Sequence, residues 1–72
     1  MKKELLLKKL GGKIRAIRMN KGLSQVELAN SIGKDQQSIQ RLEAGNINPS
    51  FYFLLEISEG LKVSLKEIIL DF

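Results

Sequence analysis

Gln36, Gln37, Gln40 and Arg41 fall within six consecutive positions. If that stretch is helical, Gln37, Gln40 and Arg41 share one side, with Gln36 on its flank at the N-terminal end. A primary amide carries a donor and an acceptor side by side, matching N6 and N7 of adenine. A guanidinium matches O6 and N7 of guanine. Such a face is chemically suited to reading the edges of bases. It is equally what a solvated helix displays, because glutamine is a good helix former with no further duty. What holds the helix must decide between the two.

The stretch from Leu23 to Gly45 supplies the holding elements. Ser24 is a good N-cap, and Glu27 three residues later completes a capping box. Gly33 stands where the first helix must stop, since glycine enters the left-handed conformation at little cost. Lys34 fills the turn. Asp35 caps the second helix, its carboxylate facing the positive end of the helix dipole, and Gly45 ends it. Ile39 and Leu42 mark its buried stripe, opposite the polar face. In the first helix Leu28, Ala29 and Ile32 face inward, with Ala29 small where two helices cross. Two capped helices joined by a tight turn form a helix-turn-helix, whose second helix can enter a DNA major groove. Gln25, just inside the first helix, can hold a phosphate together with the free amides of that turn.

Upstream, Leu6, Leu7, Leu10, Ile14, Ile17 and Met19 give an amphipathic stripe over residues 3–20. That stripe reads as one helix, but Gly11-Gly12 interrupts it at about 1 kcal/mol per glycine, which leaves open a helix that starts only after them. Residues 1–12 are then an N-terminal arm or helix extension, and residues 13–72 the domain proper. Lys2, Lys3, Lys8 and Lys9 of the arm could follow phosphates, its leucines could pack on the domain, or the whole could be solvated. Downstream, Asn46 and Asn48 lie in a loop where they could bond phosphates or simply form a turn. Ser50 then caps a strongly apolar helix, Phe51 to Leu61. Ser64 and Glu67 make a second capping box for a last helix, Leu65 to about Leu70. Every aromatic lies at this end. One small domain cannot easily bury them all, so Phe51, Tyr52, Ile68, Ile69 and Phe72 are the expected interface of a homodimer. The alternative is that they close the core of one subunit.

Composition narrows the function. With no His and no Cys, there is no thiolate or imidazole metal site and no nucleophile paired with a base. The carboxylates have no calcium-loop or paired-acid spacing. No enzyme, metal or cofactor is expected. The apolar runs are too short to span a bilayer, and a cytoplasmic location is expected. The net charge is +4, but residues 1–45 hold ten Lys or Arg against four Asp or Glu. The basic charge therefore lies with the helix-turn-helix, as a phosphate-facing surface requires.

The motifs together resemble the Cro/C1-type (Xre-like) helix-turn-helix family of phage repressors and bacterial regulators. The likeness rests on Lys13-Ile14-Arg15-Ala16-Ile17-Arg18, Lys21-Gly22-Leu23-Ser24-Gln25, Glu27-Leu28-Ala29 and Gly33. It continues through Gln36-Gln37-Ser38-Ile39, Arg41-Leu42-Glu43, Gly45, Asn48-Pro49-Ser50, Val63-Ser64-Leu65 and Glu67-Ile68. The Gln-Gln-Ser-Ile opening looks most like repressors of adenine-rich half-sites. The resemblance implies an all-α, compact five-helix, lambda-repressor-like domain with the helix-turn-helix at helices 2 and 3. It also implies an ion pair between Arg18 and Glu43, and a Gln25 that touches phosphate while steadying Gln36. Family members usually carry glycine where Lys62 stands, so a left-handed Lys62 is expected. The function implied is sequence-specific binding of double-stranded DNA by a transcriptional regulator, probing bases with Gln36, Gln37, Gln40 and Arg41. Phosphate contacts then come from Gln25, Lys34, Ser38, Asn46 and Asn48. The competing reading is a protein-interaction module that uses the same fold without DNA.

Overall fold

The structure, a computed structural model, describes residues 2–70. Five helices follow one another: α1 (Lys3–Asn20), α2 (Gln25–Ser31), α3 (Gln36–Ala44), α4 (Phe51–Leu61) and α5 (Leu65–Ile69). No strand occurs among the described residues. α3 lies against both α1 and α2, α2 against α4, and α5 against α1 and α4. The centre is filled by Ile14, Leu28, Ile39, Leu42, Ile57, Leu61 and Ile68, all fully buried.

Local chemistry starts and stops these helices. The Ser24 hydroxyl accepts the backbone N–H of Glu27 at 3.0 Å, and the Glu27 carboxylate accepts that of Ser24 at 2.8 Å. At Ser64 the cap is one-sided. Its hydroxyl accepts the N–H of Glu67 at 3.3 Å, and the reciprocal bond that closes the box at Ser24 is not made. α2 ends in a residue with positive φ, Gly33, after which the N–H of Lys34 donates to Ala29 at 2.9 Å. The same return bond, Val63 to Ser58 at 3.0 Å, closes α4. There the left-handed residue is Lys62, at φ 59. A side chain therefore sits where glycine is cheaper.

One open choice is closed and one expectation is corrected. The glycine pair does not delay α1, which runs unbroken through Gly11 and Gly12. Leu10 and Ile14 are in the core on either side of the pair, so packing outweighs the propensity cost. Gly11 is itself buried against the backbone of Leu42 and Glu43 in α3. Residues 3–12 are thus the first half of α1. The expectation corrected is Ile68. It faces inward and is wholly buried within the subunit, so it is a core residue and leaves the set of outward dimer contacts. Its neighbours Ile69 and Leu70 face out. Phe72 lies outside the described residues.

Candidate nucleic-acid interface

α3 separates its residues cleanly by side. Ile39, Leu42 and Glu43 are buried, while Gln37, Gln40 and Arg41 are exposed. These three, with Ala44 and Asn46, line one shallow depression. Asn46 therefore stands beside the candidate reading face, whereas Asn48 is exposed in the following loop and outside that depression. Gln36, at the helix start, is half-buried.

The reason is a chain of polar contacts running from α1 to the start of α3. Arg18 donates from Nε to Glu43 Oε2 at 2.6 Å and from a terminal nitrogen to Oε1 at 3.0 Å. Its other terminal nitrogen donates to the carbonyl of Leu23 at 2.6 Å. The pair is nearly out of water, with side chains 9% and 2% exposed. Glu43 holds the Arg18 guanidinium above its usual pKa, chiefly through this hydrogen bond, so the arginine stays charged. Glu43 Oε1 also accepts from Gln25 Nε2 at 3.0 Å, and Gln25 Oε1 accepts from Gln36 Nε2 at 2.7 Å. Three helices are tied to one carboxylate.

The candidate phosphate ligands are less uniform. Gln25 keeps one amide hydrogen beyond these two bonds. The Ser38 hydroxyl donates to Asp35 at 2.7 Å, and the Ser38 backbone N–H donates to the same carboxylate oxygen at 2.9 Å. That hydroxyl proton is therefore committed to the cap. These two bonds, the hydroxyl's first, hold the Asp35 carboxyl below its usual pKa. Lys34 is turned toward α4, with Nζ 3.5 Å from Glu56 and 5.8 Å from the centre of the Phe53 ring. One residue was missed from sequence. Arg15 is exposed on α1 and borders Gln25, Gln40, Glu43 and Ala44. The signal was its three-residue spacing from Arg18, which puts both arginines on one side of α1.

At the far side, Phe51 and Tyr52 are 66% and 70% exposed, and Ile69 and Leu70 are 42% and 64% exposed. No helix among the described residues is long and apolar enough to cross a membrane. No group of three or more His, Cys, Asp or Glu among them could hold a metal.

Comparison with known proteins agrees with this architecture. A helix-turn-helix family model matches residues 14–68. The uncharacterised HTH-type transcriptional regulator y4dJ of Sinorhizobium fredii is 36% identical over 62 residues, which cover 86% of this chain and 80% of that protein. The restriction-modification controller protein C.AhdI of Aeromonas hydrophila is similar in structure, with a TM-score of 0.85 at 33% identity over 88% of this chain and 96% of that one. The controller protein C.Esp1396I, solved as a tetramer in complex with its natural 35 base-pair operator, gives a TM-score of 0.78 at 33% identity, covering 89% and 95% of the two chains. With its two capped helices, its tight turn and its buried ion pair in place, this chain belongs to the Cro/C1-type helix-turn-helix family of DNA-binding transcriptional regulators.

Proposed function

We propose that this chain is a sequence-specific, repressor-like regulator that lays α3 in the major groove of double-stranded DNA and works as a homodimer. The observation that carries the reading is the division of α3. Its large apolar residues, Ile39 and Leu42, are buried together with Glu43, and Gln37, Gln40 and Arg41 stand outward together. Those three, with Gln36 at the leading end, present amide and guanidinium groups matched to purine edges. Phosphates are then held by Gln25, Lys34, Ser38, Asn46 and Asn48, with Arg15 added from α1. Lys34 reaches a phosphate by leaving Glu56, a half-exposed pairing worth about 1 kcal/mol or less. Ser38 does so by turning its hydroxyl.

Phe51, Tyr52 and Ile69 are the contacts proposed for the dimer, with Leu70 beside Ile69 in the chain. Large outward apolar side chains mark interfaces, and two copies suit half-sites about 34 Å apart. The likeness to a controller solved as a tetramer on its operator supports assembly on DNA.

The test is selection of bound duplexes from a random pool, followed by affinity measurement at two salt concentrations. A defined two-fold site is expected, with affinity falling steeply as salt rises. Gln37→Ala should relax preference at one base pair and cost about 1–3 kcal/mol. Indifference to every duplex at low salt would instead favour a protein-interaction module.

A further inference from the structure

We infer that Glu43 sets the hydrogen-bond polarity of Gln36, and through it the base edge that Gln36 accepts. The inference rests on the reading of α3 as the DNA-reading helix. A carboxylate can only accept, and a guanidinium can only donate. Arg18 takes both oxygens of Glu43, and Oε1 retains room for one more donor. The group it meets is the Gln25 amide, which must turn Nε2 toward it, at 3.0 Å. The two ends of an amide are opposite in character. Committing Nε2 to Glu43 leaves Oε1 facing Gln36, where it accepts from Gln36 Nε2 at 2.7 Å.

Gln36 is thereby left with Oε1 and one N–H for a base, in a fixed order along its edge. Turning the Gln36 amide over would place two carbonyl oxygens against each other at that short distance. Adenine offers N6–H and N7 in one order only, and a locked amide matches one order only. Glu43 touches no base and stands at the other end of α3. It is a positioning residue for specificity, acting across two hydrogen bonds.

Glu43→Gln removes the lock while keeping the shape, because an amide at 43 both donates and accepts and so permits either polarity. The experiment measures affinity of the wild-type chain and of Glu43→Gln for the selected half-site with all four base pairs at each position. Gln36→Ala identifies the position under Gln36 as the one whose preference it erases. There the wild-type preference, about tenfold or more, should fall below about threefold in Glu43→Gln. Preferences under Gln37, Gln40 and Arg41 should persist. A parallel loss at every position would show that Glu43 only braces the helix, and would overturn the inference. So would an unchanged preference under Gln36. Should Glu43→Gln fail to fold, Gln25→Ala leaves the Arg18–Glu43 pair intact and should reproduce the single-position loss. Retained preference in that variant overturns the inference. A wild-type chain without preference for any duplex would overturn the DNA reading beneath it.

Discussion

Gly11 and Glu43 meet backbone to backbone. A Cβ added at Gly11 would stand 2.5 Å from the carbonyl oxygen of Glu43. The helix that carries the candidate reading face is thus seated on the bare backbone of α1. The neighbouring Gly12 has nothing within 4 Å of such a Cβ. One glycine is a close approach between helices, and the other is open to substitution.

Gly11→Ala should therefore destabilise the fold by about 2 kcal/mol or more, since a backbone carbonyl has no rotamer to move into. Gly12→Ala should stabilise it by about 0.5–1 kcal/mol through helix propensity alone. Urea titration of the two variants checks both signs.

Glu43→Ala should cost about 3–5 kcal/mol, because it strands a buried guanidinium that keeps only the Leu23 carbonyl. A denaturation midpoint close to that of the wild type would show that water reaches Arg18 readily.

Lys62→Gly should raise stability by about 1 kcal/mol, relieving the left-handed side chain at the end of α4. The gain is net of the greater freedom glycine brings to the unfolded chain. Thermal melting measures it.

The caps of α2 and α3 should weaken in acid. Glu27 is held below its usual pKa first by the Ser24 backbone N–H, and Asp35 first by the Ser38 hydroxyl. Depressed carboxylates stabilise above their unfolded pKa of about 4 and lose that contribution as pH falls through the folded value. Asparagine caps without a charge. The stability difference between the wild type and Asp35→Asn should therefore be largest near neutrality and shrink below about pH 4. A difference that does not change with pH would rule out the charge as its source.

If Arg15 touches a phosphate, Arg15→Ala should reduce the slope of log affinity against log salt by about 1 without changing base preference. Duplex titrations across a salt series read the slope and the preference together.

The helix-turn-helix was legible because its signals are local. Ser24 with Glu27, Gly33 and Asp35 each act within one turn of chain, so spacing alone reveals them. The features that sequence missed depend on distant partners. Gly11 looked like a helix breaker because its reason lies in the carbonyls of α3. Lys34 looked free for phosphate because Glu56 is remote in sequence. Ile68 shared an apolar run with Ile69 and Leu70, and only the seating of a one-turn helix on α1 and α4 decides which of them turns inward. Arg18 and Glu43 could be paired through the family likeness. The onward links to Gln25 and Gln36 have one orientation because the carboxylate cannot donate.

The way α3 is seated bears on how such a chain can diversify. Gln37, Gln40 and Arg41 are exposed and outside the core, so they can be exchanged with little thermodynamic penalty, and under the function proposed above a lineage could retarget itself through them one substitution at a time. Position 36 has no such freedom. Its amide is wired to the scaffold, so a change there must be negotiated with residues on two other helices.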